Sequence, residues 1–329
     1  MNNLEREVLQ FQEEFSTIER NLSKVIVGME EIVRGALFAI VGGGHVLLEG
    51  APGLGKTLLV KSIAKVLGLS FKRIQFTPDL MPSDVTGTQV LAEDSSGKRS
   101  FVFRTGPLFS NIILADEINR ATPKTQSSLL EAMEEKQVSI FDQTYLLPQP
   151  FFVLATQNPV ELEGTYPLPE AQLDRFLVKL IVHMPAGAEL KEVLVRTTGA
   201  SLPEVTPVYS EEEGKMTIMK MRQVVREVYV ADPLLEVLVR MIAALTPINK
   251  YATEKTKKYV RFGPGPRGAQ AVLLFAKAHA VLDGRINLSF DDIKKALVPA
   301  LRHRLILNFQ AEADEISSDI ILEEIRNAK

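Results

Sequence analysis

Gly50-Ala51-Pro52-Gly53-Leu54-Gly55-Lys56-Thr57 fits the pattern G-x-x-x-x-G-K-[ST] and directly follows the apolar run His45 to Glu49. Glycines at these positions let the backbone turn tightly and aim several N–H groups inward, where an oxyanion can accept them. A helix is expected from Lys56 onward, and its N-terminus adds positive partial charge at the same spot. The Lys56 ammonium can then neutralise the β- and γ-phosphates of a nucleotide, and the Thr57 hydroxyl can ligate Mg²⁺. The stretch therefore predicts strand, phosphate-binding turn and helix in succession, with Gly50 through Thr57 and the next residue, Leu58, set against a bound nucleotide.

Outward from this loop, Phe71 to Phe76, Ile112 to Asp116, Phe151 to Thr156 and Val178 to Val182 are short apolar runs suited to buried parallel strands. Helical spacing over Lys56 to Leu67 and Pro123 to Glu135 separates them. That alternation predicts an α/β P-loop NTPase core, a parallel sheet covered by helices on both faces. Upstream, Leu4, Val8, Phe11, Phe15, Ile18 and Leu22 recur at three-to-four spacing and predict an amphipathic helix within residues 1–24. Two segments interrupt the core, which we assign to residues 25–186. Residues 84–105 read as an insertion with turn chemistry at Ser95-Ser96-Gly97, and residues 138–147 as a hairpin turning near Asp142-Gln143. Pro185-Ala186-Gly187 reads as a linker. Beyond it, Ala188 to Gly199, Glu211 to Val225, Pro233 to Leu245, Arg267 to Leu282 and Phe290 to Leu301 look helical, so residues 187–329 are expected to form a mainly α-helical lid domain.

A chain of 329 residues favours about two domains, and 46% hydrophobic with 24% charged residues is the balance of an ordinary globular protein. The net charge of -3 supplies no basic field to gather phosphodiester backbone, which argues against nucleic acid as partner. The absence of cysteine excludes disulfides, thiolate catalysis and Cys-based zinc sites, and suits a reducing compartment. Met1 to Gln10 lacks the basic-then-apolar order of a signal peptide. The longest apolar stretch, Ala36 to Leu48, holds three glycines and His45 and falls short of the roughly 20 residues a bilayer needs. A cytoplasmic protein without a membrane span is expected.

The next chemical signal is Asn111-Ile112-Ile113-Leu114-Ala115-Asp116-Glu117, an apolar strand ending in two adjacent carboxylates. Downstream of a phosphate loop this is the Walker B arrangement: Asp116 can hold the magnesium through water, and Glu117 can polarise the water that attacks the γ-phosphate. Guanine recognition calls for Asn-Lys-x-Asp, and the nearest approach, Asn249-Lys250-Tyr251-Ala252, lacks the acid, so ATP is the expected nucleotide. His45, His183, His279 and His303 have no metal-ligand spacing and are expected to be structural. No Gly-x-Ser-x-Gly or His-Glu-x-x-His occurs. Lys250, Lys255, Lys257, Lys258 and Arg261, interleaved with Tyr251, Tyr259 and Phe262, read as a solvated basic loop.

Four segments together carry a family resemblance: Gly50 to Thr57, Leu114-Ala115-Asp116-Glu117-Ile118-Asn119-Arg120-Ala121, Ala155-Thr156-Gln157-Asn158-Pro159 and Leu173-Asp174-Arg175-Phe176. Their order resembles that of MoxR-type AAA+ ATPases, over about Val25 to Leu305. The resemblance implies that Asn158 is the sensor-1 residue holding the attacking water or γ-phosphate. Arg175 would be an arginine finger reaching a neighbouring subunit's ATP. Arg267, within Gly263-Pro264-Gly265-Pro266-Arg267-Gly268-Ala269, would be sensor 2, although the family's usual version of this segment contains serine. Val25-Ile26-Val27-Gly28 corresponds to the segment beside adenine, with Val27 and Gly28 against the base. The insertion and the hairpin correspond to the helix-2 insert and the presensor-1 hairpin, which face the ring pore in relatives. The same resemblance implies a homo-oligomer, by family habit a hexameric ring, and a von Willebrand factor A domain protein as partner. The work expected is Mg²⁺-dependent ATP hydrolysis driving chaperone-like remodelling of a protein client. A nucleotide-dependent switch or scaffold, and a chelatase- or helicase-type motor, are the competing readings.

Overall fold

Phe11, Phe15, Ile18 and Leu22 line the buried stripe of helix α1 (Asn3–Leu22), as its spacing requires. The computed structural model describes residues 3–93, 97–141, 143–159, 164–199 and 203–327. Helix α2 (Glu30–Gly42) was not anticipated: every residue from Gly35 to Gly42 is buried, so the segment shows no amphipathic stripe to read. Gly43, at φ +76°, ends it in the left-handed conformation that glycine adopts without strain.

The chain then runs β1 (Val46–Glu49), α3 (Lys56–Val66), β2 (Phe71–Gln75), α4 (Pro82–Thr86), β3 (Gly87–Glu93), β4 (Arg99–Thr105), β5 (Ile112–Asp116), α5 (Pro123–Glu135), β6 (Gln137–Ile140), β7 (Gln143–Leu146), β8 (Phe152–Gln157), α6 (Glu170–Leu173) and β9 (Val178–Ile181). Five of these strands form one sheet in the order β2-β5-β8-β1-β9, every pairing parallel. Both faces are covered. Val46, Leu48, Ile112, Leu114, Leu154 and Leu180 pack on the side of α1, α2 and α3, while Leu47, Ile113, Ala115, Val153 and Ala155 meet Leu129, Leu130 and Met133 of α5. Parallel register brings Glu49, Gln75, Asp116 and Gln157 to one edge, the carboxyl edge, where an α/β sheet offers its ligand crevice.

The insertion is a two-stranded antiparallel hairpin of β3 and β4, paired from Gly87↔Thr105 to Glu93↔Arg99. Of its expected turn, Ser95 and Ser96 lie outside the described residues, while Gly97 has φ +80°. The second hairpin pairs β6 with β7, and Asp142 of its expected turn also lies outside the described residues. The two hairpins touch: Phe103 stacks on Tyr145 with ring centroids 4.1 Å apart.

Beyond the sheet follow α7 (Gly187–Thr197), α8 (Glu211–Glu227), α9 (Asp232–Ala244), α10 (Glu254–Tyr259), β10 (Val260–Phe262), α11 (Pro266–Leu282), α12 (Phe290–Leu301), β11 (Ile306–Leu307), α13 (Phe309–Ala313) and α14 (Ser318–Asn327). Five expected helices are present, joined by the short antiparallel pair β10 and β11. The basic stretch is only in part a loop: Lys250 and Tyr251 lie in a turn and Arg261 in β10, while within α10 Lys255 pairs with Glu324, Lys257 with Glu254 and Lys258 with Asp314. Among the described residues no helix is long and apolar enough to cross a membrane.

Three of the four histidines have structural partners. His45 accepts the Val153 N–H at Nδ1 (3.0 Å) and meets the Met133 carbonyl at Nε2 (3.2 Å), a pattern that fits the neutral ring with its proton on Nε2. His303 Nε2 meets the Phe176 carbonyl at 3.0 Å, and His279 packs edge-on to Phe38 and Phe275. Burial pushes His45 and His279 down to about 4 from the ordinary 6.5. An unfolded chain takes these protons near pH 6.5 and the folded one resists until about 4. Their stability contribution is therefore full above the unfolded value and is lost as pH falls through that window. The melting temperature is expected to drop by several degrees between pH 7 and 4, and His279→Gln should flatten part of that drop. An identical profile for this variant would remove His279 from the account.

Candidate functional site

The loop after β1 has the backbone that an anion cradle needs. Gly53 and Gly55 sit at φ +82° and +77°, and a Cβ added at either would meet nothing within 4 Å, so glycine serves the backbone conformation there and leaves an open face. Gly50 answers a different need, since a Cβ there would lie 2.8 Å from the Val182 carbonyl. Gly55 is also the N-cap of α3, so the free N–H groups of that helix face the cradle. Lys56 curls back and donates from Nζ to the Gly50 carbonyl. Partial burial lowers its pKa, opposed by the charges of Asp116, Glu117 and Glu49.

Across the carboxyl edge, β5 ends in the acid pair. Glu117 adopts φ 56°, ψ 50°, a left-handed conformation unusual for a glutamate and found where the surroundings over-determine the backbone. Those surroundings are visible. The buried Thr156 hydroxyl on β8 donates to Asp116 Oδ1 (2.6 Å) and accepts the Glu117 N–H (2.8 Å), tying both acids to one side chain. Asp116 Oδ2 accepts from Arg73 Nε at 3.0 Å and Nη2 at 2.7 Å. Glu117 Oε2 accepts from Gln75 Nε2 at 2.7 Å and lies 3.2 Å from Arg120 Nε. Asn158 is buried just after β8, at the same edge. An open glycine face, an ammonium, a helix N-terminus, the Thr57 hydroxyl and two carboxylates form a donor set that fits a nucleotide triphosphate with Mg²⁺.

Arg73, Gln75 and Thr156 were not found from the sequence. Arg73 and Gln75 do show the two-residue spacing that puts side chains on one face of a strand, and Thr156 lies inside the Ala-Thr-Gln-Asn-Pro segment. Nothing in those patterns names the acids they meet. Thr156→Val keeps the shape and deletes both hydrogen bonds. It is expected to lower turnover by about 10- to 100-fold with ATP affinity within a few-fold, and Thr156→Ser to restore most of the loss. Unchanged steady-state kinetics for the valine variant would refute this positioning role.

Beside the loop lies a cavity of about 270 Å³. Val27, Gly28, Leu54, Leu58, Met184 and Leu190 are among the residues that line it. The mainly apolar walls suit a flat aromatic base. Met184 and Leu190 come from the segment around α7 and were not singled out in the sequence.

Arg175 and Arg267 lie elsewhere. Arg175 precedes β9 and the cradle follows the neighbouring parallel strand β1, so they occupy opposite edges of the sheet; four residues of β1 alone span roughly 13 Å. Glu134, in the last turn of α5, accepts from Arg175 Nη2 at 3.0 Å and from Arg267 Nη2. The three side chains border a cavity of about 370 Å³ together with Lys136, Asp174 and Arg304. Arg304 is buried, donates to Asp174 Oδ1 at 2.7 Å, and also reaches the carbonyls of Asp174, Phe176 and Leu177. The turn after α12 thereby fixes the backbone on both sides of Arg175.

Residues 45–178 match the family described as "ATPase family associated with various cellular activities (AAA)", and residues 253–325 match the AAA lid domain. The chain is 39% identical to Chaperone MoxR1 of Mycobacterium tuberculosis over 95% of its own length and 81% of that protein. It is 42% identical to YeaC of Bacillus subtilis, over 94% of this chain and 92% of that one. A crystal structure of a Cytophaga hutchinsonii protein assigned as an ATPase superposes with a TM-score of 0.90 at 41% identity, covering 99% of this chain and 97% of that one.

Proposed function

The chain belongs to the MoxR-type AAA ATPases, and from that premise we propose that it binds ATP with Mg²⁺, hydrolyses it, and uses the cycle to remodel or activate a protein client complex. The observation that supports this most is the convergence of the Gly50–Thr57 cradle with Asp116 and Glu117 at one sheet edge, beside a cavity shaped for a base.

In this reading the cradle amides and Lys56 hold the β- and γ-phosphates, while Val27, Gly28 and Leu58 cover the adenine. Thr57 and Asp116 would hold Mg²⁺, which when bound would offset the negative charge of the phosphates. Glu117 accepts a proton from the attacking water, Thr156 and Gln75 fix where its carboxylate points, and Asn158 orients the water or the terminal phosphate. Arg175 and Arg267 lie too far from their own cradle to serve it. They are read as the finger and sensor 2 presented to the nucleotide of a neighbouring copy, which requires a ring or filament, by family habit a hexamer.

The client reading rests on the chaperone name of a relative and on the two hairpins, where Phe101, Phe141 and Leu146 are each more than 70% exposed. Such apolar side chains on paired hairpins suit a grip on an unfolded or partly docked protein. A von Willebrand factor A domain partner, a cytoplasmic location and the division into core 25–186 and lid 187–329 complete the proposal.

Sizing tests the assembly part. The Glu117→Gln variant with ATP and Mg²⁺ is expected to elute as a closed oligomer and to lose that state without nucleotide or on Lys56→Ala. A chain that stays monomeric under all conditions contradicts the proposal.

A further inference from the structure

Building on the reading of Arg175 and Arg267 as groups that serve a neighbour's nucleotide, we propose that Glu134 is a positioning residue. Its carboxylate gathers the two arginines into one two-pronged clamp for the terminal phosphate of ATP held by a second copy of this chain. Three separate elements meet here: the segment before β9 brings Arg175, the first turn of α11 brings Arg267, and the last turn of α5 brings Glu134. The cavity they border is lined by four cations, Lys136, Arg175, Arg267 and Arg304, against two carboxylates, Glu134 and Asp174. Left alone, guanidinium groups at this density repel one another and disperse into solvent. One carboxylate between Arg175 and Arg267 offsets that repulsion and still leaves the cavity positive overall.

The division of labour among the charges supports this. Asp174 and Arg304 are engaged with each other, and Arg304 spends its other donors on backbone carbonyls. Glu134 takes only one terminal nitrogen from each of the other two arginines. Arg175 gives one terminal nitrogen to Glu134 and its side chain stays partly exposed, so this guanidinium keeps terminal N–H groups for an incoming oxygen. Glu134 lies at the opposite edge from its own chain's cradle, so its influence is on the neighbour's hydrolysis and not on nucleotide binding by its own chain.

Mixed assemblies test this. Chains carrying Glu117→Gln can supply arginines but not hydrolyse, and chains carrying Arg175→Ala can hydrolyse only beside a donor of arginines. Mixing the two is expected to restore phosphate release, and no restoration would overturn the neighbour reading and this proposal with it. Given restoration, Glu134→Gln added to the Glu117→Gln chain is expected to cut the restored rate by about 10- to 100-fold with little change in half-saturating ATP. Glu134→Asp in the same chain should recover part of it. Glu134→Gln placed instead on the Arg175→Ala chain should change nothing further, because that chain's clamp is already broken. Equal losses from both placements would mark a folding role, and no loss from either would mark an idle contact; each leaves the neighbour reading intact and overturns the proposal for Glu134.

Discussion

Replacing Glu117 with Gln is expected to lower ATP turnover by about 10²- to 10⁴-fold while leaving ATP affinity within a few-fold of the parent. The amide is nearly isosteric with the carboxylate, and the backbone that presents it is held independently through the Glu117 N–H and Thr156. On the proposed mechanism, what disappears is the acceptor for the water proton. Gln75 donates to Glu117 Oε2, and an amide oxygen can still accept that bond, so the side chain has a reason to stay in place. Single-turnover phosphate release with saturating ATP separates the two effects. A variant that still turns over at the parental rate would assign the base to another group, and one that loses ATP binding would make Glu117 part of the binding site.

The second large effect is expected at Arg175. Arg175→Ala should lower turnover by about 10³- to 10⁵-fold, as for a group that meets charge developing on the transferred phosphoryl. Because the cradle and Arg175 occupy opposite sheet edges, ATP binding to the same chain should be unaffected, which distinguishes this defect from that of Lys56→Ala. The fold should also survive, since Arg304 and His303 hold the adjacent backbone without help from the Arg175 side chain. Equilibrium binding of a fluorescent ATP analogue, measured beside turnover, checks both statements. Loss of binding in parallel with turnover would place Arg175 in its own chain's site.

Much of the core was legible because parallel strands buried on both faces leave continuous apolar runs, and the glycine loop sits between one such run and a helical pattern. Helix α2 was not legible for the complementary reason: from Gly35 to Gly42 it is buried all round and has no stripe, and its apolar residues merge with those of β1. Strands β10 and β11 are short and pair across two intervening helices, α11 and α12, so neither carries an alternation long enough to read. The site divides in the same way. Gly50 to Thr57, Asp116 and Glu117 announce themselves because their chemistry depends on neighbours in sequence. Arg73, Gln75 and Thr156 do not, because what they touch is set by strand register. Glu134 is the clearest case: one acid among several at the end of an amphipathic helix reads as solvated until the topology delivers Arg175 and Arg267 to the same carboxylate.

The account depends on a glycine turn and one ammonium gripping a triphosphate, and calorimetric titration of ATP with Mg²⁺ reaches that claim directly. Saturable heat at one site per chain, abolished in Lys56→Ala and preserved in Glu117→Gln, is the result expected. The absence of any saturable heat from the unmodified chain, up to millimolar nucleotide, would contradict it.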